Sequence, residues 1–202
     1  SGSSSIVFYN AGLKIASGFS SSAPTSTPIP IQIAGVNGTA IVKAVRTDTN
    51  TGACVAQVGT GARTVGMAFS CNNPTSCIAG QTLTLKASSS TTYATIAANN
   101  NGAAPISYTN VSLNFNTSGE APIDFIYSDV GQITLLGQLP LAASGNDPAI
   151  TLTGSSDSFI VKPYTLRVAS TTQTASPFLA NPGTTSAGNG FIAAGEKFSV
   201  TV

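Results

Sequence analysis

An all-β chain folded as an antiparallel sandwich is what this sequence predicts, and three observations carry the prediction. Apolar and polar residues alternate with the two-residue period of half-buried strands: Val111, Leu113 and Phe115, then Ile123, Phe125 and Tyr127, then Ile133 and Leu135, then Phe159 and Val161. These four predicted strands are separated by SGEA, by SDVG and by a longer loop holding Ser144-Gly145-Asn146-Asp147-Pro148, all residues that turn a chain cheaply. No helical period competes, and strands at such spacing are the mark of a sandwich.

Taken in chain order, IVFYN and GLKIAS read as one opening strand broken at Ala11-Gly12. The polar stretch GFSSSAPTSTP follows, where Pro24 and Pro28 discourage a helix and leave an ordered loop or a flexible connector. PIQIAGVNGTAIVKAVRT supplies a short edge strand at Ile31 to Ile33 and a longer one at Thr39 to Thr47. RTVGMAFS then places Val65, Met67 and Phe69 on one face, and QTLTLKA does the same with Leu83 and Leu85. Residues 88–104 lack a capping signal and read as irregular, with room for one short strand near Tyr93 and Ile96.

The tail repeats the head. YTLRVAS resembles GLKIAS, and IAAGEKFSVTV resembles IAGVNGTAIVKAV. Residues 1–162 therefore read as one module, and residues 163–202 as the opening two strands of a second, incomplete copy. Tyr164, Leu166 and Val168 form one apolar row, and Phe198, Val200 and Val202 another. Left alone, such strands expose apolar faces and unpaired backbone, so they are expected to pair with the first module, with further chain or with another copy.

Composition narrows the function classes. Of the 202 residues 42% are hydrophobic, enough for a core. Only 7% are charged, against about 25% in ordinary soluble domains. A surface dressed in Ser, Thr, Asn, Gln and Gly suits an exported wall or fibre component. The net charge of +1 offers no footprint for nucleic acid or anionic lipid. No apolar run reaches the roughly 18–20 residues of a membrane span. The opening SGSSS carries no signal peptide, so the sequence reads as a mature or excised piece of a secreted protein, or as one opening on a cloning scar.

No reactive constellation appears. Without histidine there is no Ser-His-Asp or Cys-His arrangement, and neither a Ser-x-x-Lys nor a phosphate-binding glycine loop occurs. Glu120 and Asp124 are the one pair of acids worth weighing for hydrolysis, and solvated turn residues account for them better. Asp48-Thr49-Asn50-Thr51-Gly52 places oxygens at alternate positions but lacks a distal acid, so an Asx-rich turn is preferred over calcium. Sugar stacking would want exposed aromatics, and only Tyr9, Tyr93 and Tyr108 are candidates. No catalytic residue, cofactor or metal is expected.

Three cysteines remain, Cys54, Cys71 and Cys77. Cys71 and Cys77 flank NNPTS and are placed to staple a hairpin mouth, which leaves Cys54 over; Cys54 paired with either of them is the rival connectivity. A zinc site is not supported by this spacing.

The motifs CNNPTSC (71–77), FIYSDVGQITL (125–135), GSSDSFIVKPYTL (154–166) and AGEKFSVTV (194–202) resemble those of the large MshQ-like bacterial surface proteins. Those proteins are encoded with mannose-sensitive haemagglutinin type IV pilus genes. The resemblance implies an extracellular Ig-like or invasin-like protein that works beside pilus components or a host surface, and no catalytic activity. Independently, Asp129 and Gly131 of SDVG resemble the corner before the sixth strand of an immunoglobulin-type sandwich, although Ile133 stands where a corner tyrosine is usual. The expected role is a structural module working through strand packing and strand addition, with a loop-borne adhesin for glycan or host protein as the alternative.

Overall fold

The computed structural model describes residues 11–20, 25–47, 54–143, 149–165, 168–174, 191–192 and 195–201. All regular structure among them is β. The chain divides into two compact units, Ser1–Pro163 and Tyr164–Val202. The first holds β1 (Ala11–Ala16), β2 (Gly18–Phe19), β3 (Ser26–Thr27), β4 (Gln32–Ile33), β5 (Gly38–Thr47), β6 (Cys54–Ala56), β7 (Gly61–Asn73) and β8 (Leu83–Ala87). It continues with β9 (Ala94–Thr95), β10 (Ala97–Asn100), β11 (Thr109–Phe115), β12 (Glu120–Tyr127), β13 (Gly131–Leu141), β14 (Ile150–Ser155) and β15 (Phe159–Lys162). The second holds β16 (Ser170–Gln173) and β17 (Phe198–Thr201).

Hydrogen bonding in the first unit runs β8-β12-β5-β1-β14-β13-β7, with β9 outside β8 and both β10 and β11 along the far edge of β7. β1, β5, β12 and β8 take the A-B-E-D places of an Ig-like sandwich, and β7, β13 and β14 the C-F-G places. β11 joins the C edge although it follows D in the chain. β1 belongs to both layers, antiparallel to β5 and parallel to β14. That sharing depends on Gly154, which stands opposite Leu13; a Cβ there would overlap the Leu13 carbonyl.

The inward rows fill the space between the layers. Ala40, Val42 and Ala44 of β5, Leu83 and Leu85 of β8 and Ile123 and Phe125 of β12 are buried from one side. Val65, Met67 and Phe69 of β7, Leu113 of β11 and Ile133, Leu135 and Leu139 of β13 are buried from the other. Rings bridge the gap: Phe69 meets Tyr127 edge-on with centroids 5.4 Å apart, and Phe125 meets Phe159 at 5.8 Å. The last strand is interrupted between β14 and β15, and Ser156 fills the break. Its buried hydroxyl accepts from the Leu135 N–H at 3.0 Å, while its own N–H donates to the Leu135 carbonyl at 2.9 Å.

Four sequence expectations need correction. Val111 to Lys162 holds five strands, because Ile150–Ser155 is also a strand; only Leu152 of it is fully buried, so no alternating row announced it. Ala11-Gly12 opens β1 and is paired with Arg46 and Val45, so these two residues are strand and not a break; cross-strand hydrogen bonds hold the glycine in the ladder. Residues 88–104 contain two short strands, β9 and β10, drawn into the edges of β8 and β7. The polar stretch after β1 contains a small hairpin, β2 against β3, and its residues 21–24 lie outside the described residues. So do IVFYN with Tyr9, the Asp48 to Gly52 loop and the loop at 144–148.

Candidate functional site

Cys71, near the end of β7, is bonded to Cys77 with their Cα atoms 5.4 Å apart. A one-residue bulge starts next to it: Ile133 of β13 faces Cys71 while Gln132 faces Asn73, so Asn72 is left over. The NNPTS loop then returns to β10, where the Asn100 side chain accepts from the Cys77 N–H at 2.9 Å and the Thr75 carbonyl accepts from the Asn101 N–H at 2.8 Å. Gly131 fits beside this knuckle at φ 135°, and a Cβ would stand 2.6 Å from the Asn73 carbonyl. The bond closes a short ring that shapes the edge of the sheet. Replacing both cysteines by serine should lower stability by about 2 kcal/mol on the loop-entropy model, read as a shift of the urea midpoint with unchanged slope. Cys54 begins β6, and its side chain lies outside the described residues.

Glu120 and Asp124 are not solvated turn residues. Both lie on the outward row of β12, where register sets Glu120 opposite Lys43 and Asp124 opposite Lys86. The two ion pairs close at 2.9 Å and 2.7 Å, with every partner's side chain less than a quarter exposed. Each lysine also lies over a ring, Lys43 at 5.0 Å from Phe19 and Lys86 at 5.2 Å from Tyr93. Strand register explains the arrangement, because cross-strand neighbours of opposite charge attract.

The hydrogen bond from Lys86 holds the Asp124 carboxyl below its ordinary range against the opposing effect of burial, and the Ser88 hydroxyl at 2.7 Å adds to it. A carboxyl held ionised in this way cannot act as a general acid near neutrality. Because its folded pKa is depressed, Asp124 stabilises the fold at pH values above the unfolded pKa and loses that contribution as pH falls through the folded one. Asp124→Asn should cost about 1 kcal/mol at neutral pH, between the range for a charged hydrogen bond and that for an exposed ion pair, because the pair is mostly but not wholly buried. The difference from wild type should shrink as pH falls through the depressed folded pKa and vanish once the carboxyl is protonated in both states, measured by thermal unfolding across pH.

The tyrosines weighed for stacking are partly engaged. The Tyr93 hydroxyl donates to Asn37 Oδ1 at 2.8 Å, and half-buried Tyr108, whose phenol is raised by burial, lies beside Gly66 of β7. Tyr127 is buried, and its phenol is raised by burial and by the charge of Asp129. Among the described residues no group of three or more His, Cys, Asp or Glu side chains is placed to hold a metal ion. No helix among them is long and apolar enough to cross a membrane.

The tail strands pair with each other. β16 runs antiparallel to β17, with Ser170 opposite Thr201 and Gln173 opposite Phe198. The first tail strand therefore lies later than the Tyr164, Leu166, Val168 row predicted; Tyr164 and Val168 are exposed and outside it. Backbone pairing explains the shift, since the polar stretch after Ala169 is the one that finds a ladder on β17. Phe198 and Val200 share one face of β17 and remain 50% and 47% exposed. Phe191 packs edge-on against Phe198 at 6.0 Å. Leu166 and Val202 lie outside the described residues.

Sequence reasoning missed the glycines that let strands touch. Gly154 and Gly38 were legible only as glycines inside strand patterns, a signal of close approach that does not say what approaches. It also placed the acids in turns, because a lysine on a distant strand leaves no local trace.

No curated protein and no solved structure matches the chain. Residues 1–155 match the family model described as a domain of unknown function (DUF6701), first Ig-like domain. The match falls on the strands just described, from before β1 to the end of β14, and the chain belongs to this family of Ig-like domains.

Proposed function

We propose that this chain is a non-enzymatic structural module of a secreted bacterial surface protein, contributing reach and rigidity through strand packing. The observation that carries the reading is a sandwich closed by an apolar core and stapled by the Cys71–Cys77 bond, whose paired acids are held by lysines. A disulfide suits an oxidising compartment outside the cytosol. The similarity of CNNPTSC and FIYSDVGQITL to the motifs of MshQ-like proteins supports a place beside a type IV pilus. Labelling intact cells with a membrane-impermeant amine reagent tests it. Modification of the chain before lysis is expected, and modification only after lysis would remove the extracellular reading.

One observation favours the adhesin alternative. The Tyr127 carbonyl accepts from the Gly35 N–H at 2.8 Å, and the Thr82 carbonyl accepts from the Ser128 N–H at 3.0 Å. These bonds gather the loops carrying exposed Val36, Ile78 and Val130 at one end of the sandwich. Saturable binding on a glycan array, lost when Ile78 and Val130 become serine, would replace the structural reading with this one.

A further inference from the structure

Three asparagines in a row, Asn99, Asn100 and Asn101, end β10 and enter the turn after it, and the fold uses the side chains of the first two. The buried Asn99 amide donates to the Ser107 carbonyl at 3.0 Å and accepts from the Ser107 N–H at 2.9 Å, and the Asn100 side chain accepts from the Cys77 N–H. Asn101 is exposed, and its side chain has no hydrogen-bond partner among the described residues. Gly102 follows at φ 72°, the third residue of a turn closed by the Ala103 N–H on the Asn100 carbonyl at 3.1 Å. Its own N–H is likewise unpartnered among the described residues, and a Cβ built on it would meet no atom within 4 Å. The same dipeptide at Asn37–Gly38 has the opposite setting. Asn37 Oδ1 accepts from the Tyr93 hydroxyl at 2.8 Å, and Gly38 is buried in β5 opposite Phe125. A Cβ there would overlap the Gln32 side chain and stand 2.8 Å from the Phe125 ring.

We infer that Asn101 is a site of spontaneous covalent modification, where the side-chain amide is lost through a cyclic imide formed with Gly102. Asparagine is a chemically labile residue, and the step needs only hydroxide and water. The Gly102 amide nitrogen gives its proton to hydroxide and bonds to Asn101 Cγ. The Cγ–Nδ2 bond breaks, and Nδ2 takes a proton from water and leaves as ammonia. Water then opens the five-membered ring: attack at Cγ gives aspartate, and attack at the main-chain carbonyl carbon gives isoaspartate. Ring closure requires a side chain free to swing and a backbone free to turn with it. Asn101–Gly102 has both, whereas Tyr93 holds the Asn37 amide and the β5–β12 ladder holds Gly38. Either product cancels the net charge of +1. Isoaspartate also adds a methylene to the main chain inside the turn closed by Asn100 and Ala103. That methylene follows the Asn101 N–H, which donates to the Thr75 carbonyl in the Cys71–Cys77 loop at 2.8 Å, so the longer backbone strains the knuckle. The modification does not depend on the structural role proposed above.

The test is peptide mapping by mass spectrometry of the full 202-residue chain, kept folded in mildly alkaline buffer and sampled over time, with fragmentation that separates aspartate from isoaspartate. Both products are expected to accumulate at Asn101, and faster as pH rises. Conversion at Asn37 should be at least about tenfold slower, because the ladder must open before that ring can close. In urea with the disulfide reduced, the two sites should convert at similar rates, since the dipeptide is the same and the fold no longer separates them. Asn101→Gln should abolish conversion at its position and leave Asn37 as slow as before, because glutamine would have to close a larger ring. The third Asn-Gly, at 189–190, is read on a separate peptide. An Asn101 that stays intact in the folded chain while it converts in urea would overturn the inference. So would an Asn37 that converts as fast as Asn101 in the folded chain, or a tenfold difference that persists in urea.

Discussion

Phe125→Ala is expected to destabilise the chain by about 3–5 kcal/mol, the range for deleting a buried ring whose site cannot collapse. Phe125 is 1% exposed at the middle of β12, between Gly38 on β5 and Leu85 on β8, with its ring tilted against Phe159. The neighbours cannot refill the gap, because the residue opposite is a glycine. That glycine also makes the prediction specific. A Cβ on Gly38 would stand 2.8 Å from the Phe125 ring, so Gly38→Ala should be costly in the wild type and less so once the ring is gone. Gln32 is close to the same point, and some cost should persist in the double variant. A double-mutant cycle by urea unfolding reads this coupling directly. A cost below about 1 kcal/mol for Phe125→Ala would mean that the ring is at the surface and the layers are assigned wrongly.

Gly154→Ala is the second large effect, expected at about 3 kcal/mol, the upper part of the range for overpacking. The added methyl has no rotamer with which to escape, and the group it meets is the backbone of Leu13. β1 must leave β14, which opens the seam where one strand serves both layers. Gly12→Ala is the control: its Cβ would stand 3.3 Å from the Thr153 carbonyl on the same seam, a contact relieved by a few tenths of an ångström, and about 1 kcal/mol or less is expected. Amide exchange at Leu13 and Ile15 should accelerate in Gly154→Ala and stay slow in Gly12→Ala. Equal effects would mean that β1 does not run parallel to β14.

Much of the fold was legible because alternation is written locally. Val111-Leu113-Phe115 and Ile123-Phe125-Tyr127 lie inward as their spacing says, and all six side chains are buried. Leu152 escaped notice because a strand with one buried side chain has no period to detect. Glu120 and Asp124 were misplaced for a different reason. Local sequence shows their nearness to turns, whereas their environment is set by Lys43 and Lys86, brought opposite by strand register. The tail followed the same rule: its apolar rows were visible, but a ladder forms where two backbones meet, and that lay past Ala169.

Amide hydrogen exchange of the full chain tests most directly whether the first unit is a sandwich closed around the buried rows of β5, β12 and β13. Amides of β5, β12 and β13 should be among the slowest, while those of β16 and β17, whose Phe198 and Val200 are about half exposed, should exchange faster. Fast exchange in the strands around Phe125, no slower than in β16 and β17, would contradict it.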